Sequence, residues 1–573
     1  MKRVFSYLFP YRYRMAAGFC IKVLGTLAEL LLPVVLTHIL KSVVVKESLS
    51  LIFRWGVLML LFAGIACAFN IIANRMAATV GKRFSEALRR DLFYRTLTLD
   101  TAQTDAFTIP SLESRITTDT YHVHNFVMMI QRMGIRAPIL LIGGVIITFL
   151  MDATLALVML AVMPFIFLFV YLLSRIGVRL YARVQTSVDG LVRILREDFG
   201  GIRVIKALSK ESYEEARFEE ANQKLSKHEQ TASFIMSGTH PIMNLLMNGG
   251  IAAVTALAAT RVANGTSDAE TVVAFMQYFT LISMALMAVS RMFVMFSKCT
   301  ASARRISEVL SSPYEILPED FAGEEKDENF VEMRNVSFSY TTRRKKYISD
   351  ISFAIPYGSS FGIIGGTGSG KSTLIKLLLR FYDANEGEIL FRGKNIKAYK
   401  REEIAPFIGV AHQKDFLYAD TVAENIRFGR PLSEEEINTA IAIAQAKDFV
   451  DALPQGINTP LATGGTNLSG GQRQRLLIAR AVAGIPPLLI LDDASSALDY
   501  KTDAALRSAL RAYEGKMTTI TVAQRVSSVM SCDKILVLDE GKAVGYGTHA
   551  ELMESCPIYR EISDSQMGGA LFE

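Results

Sequence analysis

Six apolar runs, each of roughly the 20 residues that span a bilayer as a helix, dominate the first half of this chain. They lie at Ala16–Leu40, Trp55–Ala78, Phe126–Met151, Ala153–Ile176, Thr239–Val262 and Thr271–Phe296. In lipid such a run must satisfy its own backbone, and a helix does so. The runs therefore predict an all-α membrane portion with six spans and a lipid bilayer as partner. The connections alternate in length. Lys41–Ser50, the turn at Asp152 and Ala263–Glu270 are short, whereas Thr79–Asn125 and Gly177–Gly238 are long and rich in Lys and Arg. Long basic loops stay cytoplasmic, which puts both termini in the cytoplasm and the protein in the cell membrane. Inside the long loops apolar residues recur at helical spacing (Phe84, Leu88, Leu92; Leu191, Ile194, Leu195). The spans are thus expected to continue into the cytoplasm and bend at each tip.

Composition agrees with this reading. Half of the 573 residues are hydrophobic and only 21% are charged, low for a soluble protein. The net charge of +6 fits basic cytoplasmic loops rather than a nucleic-acid surface, so no nucleic-acid partner is expected. The five cysteines show no metal-site spacing and read as reduced thiols. The first apolar run is too long for the core of a cleaved signal peptide. After Phe296 the pattern changes. Two prolines and the acidic run Glu324–Glu328 mark a linker, and from Phe330 onward β-rich runs alternate with amphipathic helices. The expected division is a membrane domain at 1–312, a linker at 313–327 and an α/β domain at 328–573.

The α/β domain carries the chemistry. Gly365, Gly366, Thr367, Gly368, Ser369, Gly370, Lys371, Ser372 and Thr373 follow a strand-like run and open a helix. This is a phosphate-binding loop in its required context. Its glycines let backbone N–H groups face the phosphates, and the helix N-terminus adds a favourable dipole. Lys371 is placed to reach the β- and γ-phosphates of ATP, and Ser372 to bind Mg2+. The apolar run Leu488–Leu491 ends in Asp492, a second candidate for Mg2+.

Leu468, Ser469, Gly470, Gly471, Gln472, Arg473, Gln474 and Arg475 then resemble the signature motif of the ABC transporter family. Other motifs of that family appear in order. Tyr340 stands where an aromatic stacks on adenine, Gln413 resembles the Q-loop glutamine that touches Mg2+, and Ser496–Asp499 resembles the D-loop. Gly201–Ala207 and Leu112–Asp119 resemble the cytoplasmic loops of exporter-type members. The resemblance implies a six-helix exporter-type transmembrane domain fused to an α/β P-loop nucleotide-binding domain. It also implies ATP hydrolysis coupled to transport, and coupling helices near Ser111–Thr120 and Ser209–Glu215. A soluble member of the family is excluded by the six spans.

Two positions depart from the family's active form. The family places Glu after Asp492 to orient the attacking water, and this chain has Asp493. It places His after the sequence Val522–Ala523, and this chain has Gln524, which donates a hydrogen bond but cannot become cationic. Thr463 also replaces an acidic residue common before the signature. Paired head to tail with another half-transporter, this chain is expected to form one poor site from its own Asp493 and Gln524. Its intact signature would complete a competent site whose Glu and His come from the partner. The expected function is a heterodimeric exporter of amphipathic, drug-like, lipid or peptide substrates. Two alternatives remain open: a regulatory ATP-binding subunit with little hydrolysis, and an importer on the exporter-like fold.

The membrane half speaks less clearly about substrate. Met243, Met247, Phe275, Met276, Tyr278, Phe279, Met284, Met287 and Phe293 either line a promiscuous apolar pocket or pack helices. Glu29, inside the first span, either meets a cationic substrate or hydrogen-bonds a neighbouring helix. Lys22, nearer the cytoplasm, is expected to snorkel.

Overall fold

The computed structural model describes residues 2–44, 48–264, 268–313, 329–340, 346–413 and 415–567. Among them six helices are long and apolar enough to cross a membrane: Lys2–Val43, Leu49–Leu97, Ile109–Met151, Ala153–Gly200, Glu211–Ala263 and Ala269–Val289. Their regular segments are α1 (Arg12–His38), α2 (Leu49–Leu97), α4 (Thr120–Met151), α5 (Ala153–Gly200), α6 (Glu211–Ser237), α7 (Thr239–Ala263) and α8 (Ala269–Ser311), with a short α3 (Thr101–Phe107) after α2. All six expected spans are present. At 49 residues, α2 extends about 73 Å, more than twice the hydrocarbon thickness.

Small residues set how closely these helices cross. A Cβ on Gly250 of α7 would lie 2.5 Å from the Phe279 ring of α8, and one on Gly144 of α4 would lie 2.8 Å from Ile282. Phe275, Tyr278 and Phe279 are fully buried in the bundle core with Met243, and the Tyr278 hydroxyl donates to the Leu30 carbonyl at 2.5 Å. These aromatics therefore serve helix packing rather than an open pocket. Met276 and Met284 are exposed.

The α/β domain contains two sheets. Strands β1 (Val331–Phe338), β2 (Ile348–Ile355), β4 (Glu386–Phe391) and β5 (Lys394–Asn395) form an antiparallel sheet in the order β2-β1-β4-β5. The second sheet comprises β3 (Ser360–Gly365), β6 (Ile408–Ala411), β7 (Leu488–Asp492), β8 (Thr518–Ala523), β9 (Lys534–Asp539) and β10 (Lys542–Gly547), ordered β10-β9-β3-β8-β7-β6. It is parallel except for the edge strand β10. A parallel sheet must be covered on both faces, and β7 is accordingly buried at every residue.

Two compact bodies emerge. One holds Met1–Thr98 with Phe107–Pro313; the other holds Tyr314–Glu573 and also Leu99–Ala106. The expected linker at 313–327 lies, apart from Pro313, outside the described residues. The sequence puts the first coupling helix near Ser111–Thr120; Leu99–Ala106 groups with the nucleotide-binding body, and within that body the Tyr382 hydroxyl donates to the Asp105 carboxylate. Arg115 and Asp119, inside the expected helix, are not solvated. Asp119 is fully buried and bonds Ser302 at 2.8 Å and Arg305, while Arg115 pairs with Glu308 at 3.2 Å, all on α8. Near the second expected position the chain turns at Ser209, with φ +50, between a short helix Ile202–Ala207 and α6.

Close packing at the end of β3 gives a sharp contrast between adjacent glycines. A Cβ on Gly365 would stand 2.1 Å from the Leu538 carbonyl oxygen, whereas one on Gly366 meets nothing within 4 Å. Gly365→Ala is expected to destabilise the nucleotide-binding domain by roughly 3 kcal/mol or more, because backbone must move. Gly366→Ala should leave thermal unfolding of the full-length protein nearly unchanged. Similar melting curves for the two variants would refute this packing.

Candidate functional site

Strand order alone gathers the predicted residues. Neighbouring strands β3, β8, β7 and β6 run parallel in register, with Ile364 opposite Ala523, Asp492 opposite Val522 and Ala411 opposite Leu491. Their carboxyl ends therefore deliver the phosphate loop, Gln524, Asp492 with Asp493, and Gln413 to one edge, where ligands bind in open α/β sheets.

The loop wraps from Gly365 into α9 (Lys371–Leu378). Gly368 and Gly370 adopt φ +84 and +103, conformations that side chains rarely adopt. Gly366, Thr367 and Gly368 are exposed, and Ser369 is buried with its hydroxyl unpartnered among the described residues. The Lys371 ammonium is buried and donates to the carbonyls of Gly365 (2.7 Å) and Gly366 (2.8 Å). Burial pulls its pKa down, opposed by the charges of Asp493 and Asp492. Thr373 Oγ1 lies 3.1 Å from the Tyr340 hydroxyl, which ties the aromatic to the phosphate loop's helix. Tyr340 also meets Phe338, Tyr347 and Tyr382 edge to face, with the Lys376 ammonium 5.3 Å from its ring centre.

Both carboxylates are desolvated. Burial pushes the pKa of Asp492 up, with the nearby His412 opposing, and it pushes Asp493 up against the opposing charge of Lys371. Asp493 sits at φ +51, a region that short polar residues tolerate better than most. Its Oδ2 accepts from Gln413 Nε2 at 2.9 Å and from Gln524 Nε2 at 3.2 Å. Two amides therefore hold one carboxylate oxygen.

Among the described residues no three His, Cys, Asp or Glu side chains cluster as a metal site. Mg2+ does not require one, since it takes one or two carboxylates together with nucleotide phosphates. Asp492, a buried carboxylate at the end of β7, fits that role, alongside the exposed Ser372 hydroxyl and the Gln413 amide oxygen.

The signature opens α10 (Gly470–Val482). Ser469 caps it by accepting from Gln472 N at 3.2 Å, and Gln472 Oε1 accepts from Ser469 N at 2.9 Å. Ser469 and Gly470 are exposed. Gly471 lies against the D-loop, where a Cβ would be 3.3 Å from the Ala497 carbonyl. This capped, glycine-rich N-terminus presents free N–H groups to an anion, as an ATP site shared between two chains requires.

Several contributors were not read from the sequence. Gln566, in the helix Pro557–Met567, donates to the Gln524 carbonyl at 2.8 Å and accepts from Val526 N, so the C-terminal helix holds the switch position. In the membrane half, Arg136 grips Glu29 with two bonds, 2.5 and 3.1 Å long. Glu29 is therefore paired to a neighbouring helix. Lys22 does not snorkel; it is 3% exposed and donates to Asn70 (2.7 Å) and Asn74 (3.2 Å).

Comparison with known proteins is consistent with this geometry. Residues 15–286 match the ABC transporter transmembrane region, and residues 348–496 match the ABC transporter family. An ABC transporter ATP-binding protein of Mycobacterium tuberculosis is 34% identical over 97% of this chain and 96% of its own length. YfiB of Bacillus subtilis, also an ABC transporter ATP-binding protein, is 31% identical over 99% of each. The ATP-dependent lipid A-core flippase of Pseudomonas aeruginosa is 32% identical over 88% of this chain and 84% of the flippase. A bacterial Atm1-family ABC exporter with ATP bound shares the fold, with a TM-score of 0.81 and 24% identity over 96% of this chain and 98% of that one.

Proposed function

The chain belongs to the ABC transporter family as an exporter-type half-transporter, an ATPase domain fused to six membrane helices, and from this premise we propose that it is the degenerate-site half of a heterodimeric exporter. One observation carries the reading: Asp493 and Gln524 stand where the family has Glu and His, and in the structure they bond each other. The Asp493 carboxylate is also tied to Gln413, the residue that must turn toward the nucleotide. A carboxylate one methylene short and held by two amides is a poor base for water.

In this reading, Lys371 and the loop N–H groups bind the β- and γ-phosphates of ATP, and Tyr340 stacks on the adenine. Ser372, Asp492 and Gln413 hold Mg2+, which neutralises phosphate charge when bound. Ser469, Gly470, Gly471 and Gln472 close over the ATP on the partner's phosphate loop. Binding of two ATP molecules pulls the nucleotide-binding domains together and opens the membrane cavity outward; hydrolysis at the partner's loop resets it. The cargo is an amphiphile moved out of the cytoplasm across the cell membrane, and the flippase likeness favours lipids among the candidates.

The test is to purify the tagged chain from its native membranes in mild detergent and identify what accompanies it. A second half-transporter with the catalytic Glu and switch His is the expected companion. A self-pair, or a companion lacking the Glu, would overturn the asymmetric assignment.

A further inference from the structure

The chain passes between its two bodies three times: after Thr98, after Ala106 and after Pro313. On the membrane side the three ends are tied to one another by side chains that have no part in the ATP site. Arg95, in the last turn of α2, donates from one terminal nitrogen to the carbonyls of both Ser312 and Pro313, just past the end of α8. The Arg115 guanidinium lies 4.8 Å from the centre of the Phe107 ring, and donates to the Arg305 carbonyl (2.5 Å) and the Glu308 carboxylate (3.2 Å) on α8. Asp119 accepts from the Ser302 hydroxyl at 2.8 Å and from the Arg305 guanidinium.

Burying this knot is unfavourable by itself. Arg95, Arg115 and Asp119 are 3%, 8% and 0% exposed. Charges resist leaving water, and apolar residues of similar volume commonly hold helices together as well as a buried ion pair does. What charge-assisted bonds add is direction, so that one geometry is fixed where apolar surfaces can slide. The backbone adapts to make them. Arg115–Asp119 form a wide π-helical turn at the head of α4, a distortion that recurs at functional sites. Both ends of that turn meet one stripe of α8, on which Ser302, Arg305 and Glu308 follow at three-residue spacing.

We propose that Arg95, Arg115 and Asp119 lock the cytoplasmic end of α8 to both ends of the Leu99–Ala106 segment. The covalent connection after Pro313 and the Leu99–Ala106 segment then deliver a single displacement to the membrane helices. This rests on the exporter reading and adds to it three positioning residues for coupling, none of which touches nucleotide. With the lock broken, α8 shifts while α2 and α4 stay in place, and ATP is hydrolysed without opening the membrane cavity.

The experiment uses the full-length chain in the assembly purified from membranes. Spin labels are attached through Leu49→Cys and Leu150→Cys, exposed positions at the outer ends of α2 and α4, after the exposed Cys20 and Cys67 have been replaced by serine. ATP with vanadate is expected to change the distance between the labels in the otherwise wild-type chain. Arg95→Met and Arg115→Met should each cut the responding fraction to less than about half. Steady-state ATP hydrolysis should stay within about twofold of the wild type. Arg95→Lys, which keeps a cation for the two carbonyls, should restore the response. Hydrolysis and response lost together in both methionine variants would mean that these residues only hold the fold, and would overturn the proposal. So would an undiminished response in both. The pair Asp119→Asn with Arg305→Gln keeps the side-chain shapes and removes the charges, which covers the case in which a methionine variant does not assemble; an undiminished response there overturns the proposal equally. A wild type that hydrolyses ATP with no change in label distance would remove the exporter reading, and the proposal with it.

Discussion

Asp493→Glu combined with Gln524→His is expected to raise ATP hydrolysis at this chain's own phosphate loop by about a hundredfold. Geometry sets that factor. The extra methylene advances the carboxylate by roughly 1 Å, and a misplacement of that size costs on the order of a hundredfold in rate. In the structure the shorter side chain is also held by the amides of Gln413 and Gln524. The introduced histidine removes one of those amides and supplies a group able to donate to the γ-phosphate. One cost opposes the gain: at φ +51, glutamate is less at ease than aspartate, a strain on the order of 1 kcal/mol that lowers stability rather than turnover. The measurement is single-turnover hydrolysis in a complex whose partner loop has been silenced by its own lysine substitution. Each single variant should give less than the pair. With Asp493→Glu alone, Gln524 would still hold the lengthened carboxylate; with Gln524→His alone, the new imidazole would still face a short one. A double variant as slow as the parent would locate the defect away from these two residues.

Lys371→Ala should weaken ATP binding at the same loop by about a hundredfold while leaving the assembled transporter partly active. Charge-assisted hydrogen bonds contribute about 1.5–3 kcal/mol each, and two of them to phosphate oxygens at the lower end of that range amount to roughly two decades of affinity. Without ATP the ammonium is satisfied internally by the Gly365 and Gly366 carbonyls, so removing it leaves neutral carbonyls, one of them on the exposed Gly366, rather than a buried orphan charge. The fold is expected to survive. Photolabelling with an azido-nucleotide would report occupancy of this loop, and steady-state ATPase would report the partner-based site. Complete loss of turnover would argue that both sites must fire, and would sink the asymmetric engine.

Some features are legible in the linear sequence, and others are hidden for identifiable reasons. Six spans are readable because each is a continuous apolar run in which the length alone is diagnostic. The phosphate loop, Asp492, Gln413 and the signature are readable because each is local, and the parallel register of β3, β8, β7 and β6 needs only to bring them to one edge. Arg136 is hidden because it lies 107 residues from Glu29, and an intramembrane carboxylate read alone looks unpaired. Lys22 misleads for the same reason, since Asn70 and Asn74 sit on another helix. Gln566 lies 42 residues after Gln524 in a helix with no motif of its own. Arg115 and Asp119 look solvated in the sequence until Glu308 and Arg305 of α8, 193 and 186 residues away, are seen to pair with them. Local chemistry survives in a linear string, whereas pairing between distant helices does not.

The 49-residue helix α2 has a mechanical consequence. It is one uninterrupted rod, and the chain leaving its end goes straight into the segment that Tyr382 holds at Asp105. A rod pivoting partway along works as a lever: its two ends move in opposite senses, in proportion to their distances from the fulcrum. Gly25 supplies a close crossing for such a fulcrum, since a Cβ there would lie 3.0 Å from the Cβ of Phe69 on α2. By that crossing the outer arm runs from Phe69 back to Leu49 and the inner arm from Phe69 on to Leu97. At 1.5 Å per residue these are about 30 Å and 42 Å, so in any swing about that crossing the Leu97 end would travel further, and with less force, than the Leu49 end.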